Sequence, residues 1–321
     1  MRYDPAEYLY ASARIRALEA RFAVGREKLL GLCEADTADA ILRALSENGF
    51  EHEQGELAPD LWLKTVYQTV EGAVPDAALI RFLRYPTDCH NLKAVLKSRA
   101  KGGDPAALLI DTGSVSAKRM QESYGAELAA LLPPHLASAL PVAEEIFAKS
   151  GDPREIDFTL DRALYADMAE AASVPFAAGW LRAKVDLTNL LLCLRLLRMR
   201  NGELGRSTLI RAYLPGGTLT AEQLLQCYDG GEAEMEKTLF STPYRGIFEE
   251  NTALFAVERA LDVYLMRYAQ TSERVLYGAE VPLGFLLRAE GVCKDVRILL
   301  SGKRAGLAPD KIKERMRVCY V

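Results

Sequence analysis

Two acid–amide pairs at one spacing are the first residues in this chain that chemistry could use: Asp88 with Asn91, and Asp186 with Asn189. A third, altered copy puts Val292 and Asp295 at the matching positions. Residues three apart on a helix share a face. Each pair would therefore present a carboxylate beside a carboxamide. Such a pair can serve as a catalytic or metal-binding acid, or it can anchor backbone N–H and C=O groups. The surroundings of Asp186 and Asn189 favour anchoring. Leu187, Leu190, Leu191, Leu192, Leu194, Leu196 and Leu197 make that helix apolar on nearly every side, and such a helix is buried. A buried polar group without a partner costs about 1–3 kcal/mol, so these side chains are expected to hold loop backbone or a neighbouring helix. Three copies spread along the chain, one of them lacking the acid, argue for architecture over catalysis.

Other chemistry finds little support. There is no GxxxxGK[ST] loop for a nucleotide, no GxSxG and no HExxH. Gly102-Gly103, Gly216-Gly217 and Gly230-Gly231 read as turns. Cys33, Cys89, Cys193, Cys227, Cys293 and Cys319 form no CxxC pair, and His52, His90 and His135 are scattered, so no zinc-ligand spacing exists. Reduced thiols in a cytosolic protein are expected, with Cys193 as plain core. Glu144-Glu145 and Glu249-Glu250 fall on faces expected to be exposed. A net charge of −4 lacks the basic excess of broad nucleic-acid binding. No signal-peptide core opens the chain. Its longest stretch free of Asp, Glu, Lys and Arg, Leu128 to Ala143, holds Pro133, Pro134 and Pro141 and is no membrane span. The expectation is a soluble protein that is not an enzyme and reaches a membrane only through partners.

The elements that must position the pairs are helices. Asp4-Pro5 is a cap followed by proline, and apolar residues recur at helical spacing from Ala6 to Phe22. Thr37 caps a helix to Asn48 that Gly49 ends. Pro59, Pro75, Pro86, Pro153 and Pro175 mark further starts. Long helices are expected over 176–200 and 251–270, and Pro309 opens a last one over Asp310–Val318. No sustained period-2 run is bounded by hairpin turns, so strands should be rare.

Internal repeats organise these helices. Asp161-Arg-Ala-Leu164 returns as Glu258-Arg-Ala-Leu261, with a looser echo at Arg14 to Glu19. The acid–amide signature follows each. A third signature starts at Gly113 and returns at Gly217, with Leu307 to Ile312 as its last echo. The order is the same each time, at spacings of roughly a hundred residues, a length scale on which helical modules repeat. Three helical modules are expected, over residues 1–125, 126–230 and 231–321. Ser116 and Thr220 read as N-caps, Gln223 completes a capping box with Thr220, and Gly113 and Gly217 read as turn glycines. Basic residues gather at the C-terminal end of each signature helix: Lys97, Arg99 and Lys101; Arg195, Arg198 and Arg200; Lys303 and Arg304. Complementarity to the helix dipole, worth about 0.3–1 kcal/mol each, explains them locally. Around a threefold pseudo-axis they would instead form a positive rim facing an acidic partner.

The segment from Tyr85 to Lys97, with Asp88, Asn91, Leu92 and Lys93, resembles the Tyr-Asp-x-x-Asn-Leu-Lys segment of the C/d subunits of rotary V- and A-type ATPases. Ala13 to Glu19, Asp186 to Leu190, Glu258 to Asp262 and Leu299 to Met316 are similar to further stretches of that family, in the same order. The resemblance runs over nearly the whole chain and departs at Val292 and Asp295, where the family usually carries an acid and Asn. It implies an all-α, funnel-shaped protein of three pseudo-repeated modules around a pseudo-threefold axis. Such a protein would sit on the cytoplasmic face of the membrane proteolipid ring, receive the foot of the central-stalk D and F subunits, and transmit torque without cofactor or chemistry. The absence of eukaryote-style insertions implies a bacterial or archaeal-type complex. Close-packed helices would supply the stiffness that torque demands. Two other readings stand beside it. A helical scaffold of another assembly would show an open superhelix with one concave face. A helical enzyme would show a deep pocket with strongly shifted ionisable groups.

Overall fold

The computed structural model describes residues 3–22, 24–50, 58–199, 202–249 and 253–317, and among them every regular element is a helix. The chain opens with α1 (Leu9–Phe22), α2 (Arg26–Leu32), α3 (Ala38–Leu45) and α4 (Ala58–Glu71). It continues with α5 (Ala77–Arg81), α6 (Tyr85–Lys101), α7 (Ala117–Glu122), α8 (Gly125–Ala129), α9 (Pro134–Ser150) and α10 (Pro153–Ala171). Then come α11 (Pro175–Met199), α12 (Gly202–Ala212), α13 (Ala221–Leu239) and α14 (Arg245–Glu249). The last three are α15 (Leu254–Gln270), α16 (Glu280–Arg304) and α17 (Pro309–Arg315).

Starts and stops follow from local chemistry. The Asp4, Thr37 and Asp152 side chains accept the first free N–H groups of their helices, the groups a helix cannot satisfy internally. Thr220 and Gln223 form the reciprocal capping box. Proline stands in the first turn of α6, α9, α10 and α17, where its missing N–H costs nothing. The helix expected to run unbroken to Asn48 tightens into a 3-10 turn over Ser46–Asn48 before Gly49 ends it at φ 82°. Ser116 corrects an expectation: its side chain makes no cap. Ser116 still holds the N-cap position, and the Ala117 N–H that follows it goes to Asp111 Oδ1 at 3.1 Å. The expected start at Asn251 and end at Val318 lie outside the described residues.

The chain divides into two compact units. The first joins residues 1–77 to 251–321. Helix α16 runs through it and packs on α4, α15 and α1. Its buried residues, among them Leu283, Leu286, Val292, Val296 and Leu299, leave few faces to water, which is why its sequence lacks a single apolar stripe. Trp62 of α4 stacks on Phe50 at 4.5 Å and donates its indole N–H to the Asn48 carbonyl at 2.8 Å. Full burial of each such large side chain stabilises by about 1.5–3 kcal/mol. The second unit comprises residues 78–250. There α10 packs along α9 and on α6, and α11 packs on α13. No described helix is long and apolar enough to cross a membrane.

Candidate functional site: buried carboxylates and basic helix ends

Asp88 and Asn91 are buried on α6. Asp88 Oδ1 accepts the Val115 N–H at 3.0 Å, and Oδ2 accepts the Ser114 N–H at 3.2 Å together with the Ser114 hydroxyl. Asn91 donates Nδ2–H to the Ile110 carbonyl at 2.7 Å and accepts the Ile110 N–H at 2.9 Å. One helix face thus fastens the loop 110–115. Arg84, one turn before Asp88, donates to the carbonyls of Thr112 and Gly113 in the same loop. Burial pushes the Asp88 carboxyl above the usual range; the hydrogen bonds from Ser114 and Val115 and the Arg84 charge pull it back in part.

Asp186 and Asn189 repeat this geometry on α11. Asp186 Oδ1 accepts the N–H groups of Thr218 at 2.7 Å and Leu219 at 3.0 Å. Its Oδ2 accepts the Thr218 hydroxyl at 2.6 Å and the Tyr244 hydroxyl at 2.9 Å. Asn189 donates to the Leu214 carbonyl at 2.8 Å and accepts the Leu214 N–H at 3.0 Å. In both copies the glycine before the clasped loop residues lies against the acid: an added Cβ on Gly113 would collide with Asp88 Oδ1, and one on Gly217 with Asp186 Oδ1. Neither glycine has a positive φ. Close approach of the carboxylate, not turn geometry, is what requires glycine there. In the first unit, Asp295 is buried on α16 and accepts the Arg317 N–H at 2.9 Å. Arg317 in turn donates Nε–H to Asp262 at 2.7 Å. Val292, at the position of the missing acid, is buried.

A second correspondence joins segments that look unalike in sequence. In the second unit Cys89 points its thiol at the Leu160 carbonyl, 3.7 Å away, and Lys93 binds Asp161 at 2.6 Å. In the first unit Cys293 points at the Pro59 carbonyl, 3.2 Å away, and Arg297 binds Asp60. Helices α6 and α16 thus each use a cysteine and a cation four residues on to grip a carbonyl and the acid that follows it; α11 carries Leu187 and Leu191 at those positions. Burial pushes both thiols up to about 12, which makes them poor nucleophiles. The shared Cys-x-x-x-Lys/Arg spacing was the available signal; nothing in α4 resembles α10 closely enough to show the partner.

The basic helix ends are partly committed within the chain. Lys97 binds Asp157 at 2.5 Å. Arg99 donates to the carbonyls of Gln121 and Ser123, both at 2.8 Å, with its guanidinium 3.8 Å from the centroid of the Tyr124 ring. Arg198 meets Glu232 at 3.1 Å. Arg195, Lys101 and Arg304 are exposed and Lys303 is half-buried. Arg200 lies outside the described residues. Among the described residues, no three His, Cys, Asp or Glu side chains gather as a metal site.

Asp88 and Asp186 fasten loops with both of their oxygens, and the geometry recurs from α6 to α11. That defines an all-helical protein built from recurrent, acid-clasped helix–loop units. The sequence model of the ATP synthase (C/AC39) subunit matches residues 11–315, and the chain belongs to this family, the C/d subunits of V-type and A-type ATPases. The C subunit of the V-type ATP synthase of Thermus thermophilus is 25% identical over 337 residues, covering 98% of this chain and 99% of that one. The C subunit of the A-type ATP synthase of Thermococcus onnurineus is 23% identical over 337 residues, covering 98% and 90%. The C subunit of the V-type sodium ATPase of Enterococcus hirae is 25% identical over 263 residues, 79% of each chain.

Proposed function

We propose that this chain is a non-catalytic rotor subunit of a V/A-type ATPase. It joins the foot of the central-stalk D and F subunits to the membrane proteolipid ring on the cytoplasmic side and transmits torque for proton or sodium transport. The observation that carries this reading is the family match from residue 11 to residue 315, with C subunits of A-type and V-type ATP synthases aligned along nearly their whole length. The described helices fit it. None can cross a membrane, so partners would carry the chain there. Its buried acids Asp88 and Asp186 tie loops to helices, which favours a body that resists twist. In this reading the three modules (1–125, 126–230 and 231–321) surround a pseudo-threefold axis as a funnel. Lys97, Arg99, Arg195, Arg198, Lys303 and Arg304 then lie along its rim, with the exposed members facing an acidic partner surface.

The test is a pull-down of the tagged protein from gently solubilised membranes of its own source, with partners identified by mass. Recovery of the ring proteolipid together with stalk and ATP-hydrolysing subunits is expected. Recovery of none of them, where the intact ATPase demonstrably survives the preparation, would replace the rotor with a helical scaffold of another assembly.

A further inference from the structure

The first unit carries a trough that the rotor reading leaves unassigned. Three adjoining pockets run beside α17. The middle one, about 570 Å³, lies between Phe255 and Arg259 of α15, Ile298 of α16, and Lys311, Arg315 and Arg317. It shares Ile298 and Arg315 with a neighbour of about 320 Å³. It shares Arg259 and Arg317 with another of about 280 Å³ that reaches Arg26 and Leu30 of α2.

Charge and shape say what fits. Seven arginines and lysines line the three pockets against two carboxylates, Glu258 and Glu314, although the chain as a whole is acidic. Part of this charge is already engaged. Arg317 uses Nε on Asp262, Arg259 uses Nη1 on the Glu314 carbonyl at 2.9 Å, Lys311 pairs with Glu314 at 3.2 Å, Arg297 binds Asp60 and Lys313 pairs with Glu34 at 2.5 Å. A guanidinium has five N–H groups, so Arg259 and Arg317 retain donors for another acceptor. Arg26 and Arg315 are exposed, and neither pairs with a carboxylate among the described residues. Between these cations lies an apolar strip. Phe255 is 51% exposed, and Ile298, Leu30 and Val263 continue the strip along the walls. A single small anion would fill only one pocket of the three. A row of pockets with cations flanking apolar walls matches an extended chain that alternates carboxylates with apolar side chains. Arginine and aromatic side chains are also the groups that most often anchor interfaces.

We propose that this trough docks an acidic segment of a partner protein, held by an aromatic or aliphatic anchor against Phe255 and Ile298 and by carboxylates on Arg26, Arg259, Arg315 and Arg317. The site goes beyond the rotor reading and does not depend on it.

Fluorescence anisotropy on the full chain tests it with three labelled peptides. One alternates Glu with Leu and Phe, one replaces its Glu by Gln, and one replaces its apolar residues by Ser. At about 0.1 M salt, where charges act over about 10 Å, the first peptide should bind about tenfold tighter than either control. The double variant Arg26→Glu/Arg315→Glu should weaken it by about tenfold or more, and Phe255→Ala should weaken it too. Lys118→Glu, at an exposed residue of the second unit that does not line the trough, should change nothing; the thermal melt of each variant reports that the fold is intact. Equal binding of the Ser peptide, which reduces the trough to a diffuse cationic patch, overturns the proposal. So does undiminished binding to the double variant, or a dimer of this chain that the double variant dissociates. None of these results touches the recovery of ATPase subunits in the pull-down, so the two readings fail separately.

Discussion

Oδ1 of Asp186 occupies the space that a Cβ on Gly217 would need. The same carboxylate oxygen takes the N–H groups of Thr218 and Leu219. The acid and the glycine therefore form one device: the missing side chain lets the loop come down onto the carboxylate. Gly217→Ala must lift the loop, with overpacking worth about 1–3 kcal/mol. In an Asp186→Ala background the carboxylate is gone and only the Val185 methyl, 3.2 Å from the added Cβ, stays close, so Gly217→Ala should cost less there, giving a coupling energy on the order of 1 kcal/mol. Urea denaturation of the four proteins measures it. An alanine cost that is the same in both backgrounds would show that the contact is not what requires glycine.

Asn91 and Asn189 each donate to and accept from a single loop residue, Ile110 and Leu214. A carboxamide does both at neutral pH, whereas the carboxylate of Asp only accepts. Asn189→Asp places a carboxylate oxygen against the Leu214 carbonyl and leaves that acceptor without its donor. A loss of about 1–3 kcal/mol or more is expected from the unpaired buried group, and Asn91→Asp should behave alike. Equilibrium unfolding decides it; an aspartate tolerated without loss would mean that the loop contact is incidental.

How much of this was legible beforehand depends on the range over which each feature acts. Helix starts at Pro86, Pro153 and Pro175, and the Thr220–Gln223 capping box, are decided within one turn, so the sequence shows them. The Asp–Asn signature was legible as a recurring pair, and its burial followed from the leucines around Asp186. The loop partners of those pairs were not legible, because they stand 19 to 33 residues away in segments without regular pattern, and Tyr244 stands 58 residues from Asp186. The grip of Cys293 and Arg297 on Pro59 and Asp60 was less visible still, at separations of 234 and 237 residues. Ser116 stands at the N-cap of α7 as expected, but its side chain makes no capping bond; the bond from the Ala117 N–H to Asp111, six residues earlier, was not legible for the same reason of range.

Arg99 separates the rim from the fold. Its two bonds to backbone carbonyls and its stacking on Tyr124 make Arg99→Glu a structural lesion. Hydrogen bonds to a charged group and a cation–π contact together predict a loss of about 2–4 kcal/mol. Arg304→Glu changes an exposed residue at the end of α16 and should cost less, since it alters only complementarity to the helix dipole, about 0.3–1 kcal/mol per charge lost or introduced. Thermal or urea unfolding of the two variants tests this ordering. Charge reversal aimed at partner binding therefore belongs at Arg304, where a lost interaction will not be confused with a damaged core. If Arg99→Glu unfolds no more readily than Arg304→Glu, the inward bonds of Arg99 carry no stability.

His135 gives the second unit a pH dependence whose sign can be worked out. Its Nε2 lies 2.8 Å from Glu170 Oε1. That hydrogen bond raises the imidazole above 6.5; slight desolvation opposes it, and the charges of Glu170 and Asp167 add to it. A folded value above the unfolded one means that the protonated imidazole is preferred in the native state. The contribution is therefore fully present below about pH 6.5 and is lost as pH rises through the raised folded value. Both side chains are exposed, so water screens the pair and the stabilisation stays well under about 1 kcal/mol. The imidazole titration itself is the sensitive readout. With only three histidines in the chain, the His135 ring resonances can be assigned by substitution and followed by NMR. The midpoint should lie above 6.5 in the parent and fall back toward 6.5 in Glu170→Gln. An unchanged midpoint would mean that Glu170 does not hold the ring in solution, and that hydrogen bonding between the start of α9 and α10 rests on Asp167, which accepts the His135 and Leu136 N–H groups at 2.8 Å each.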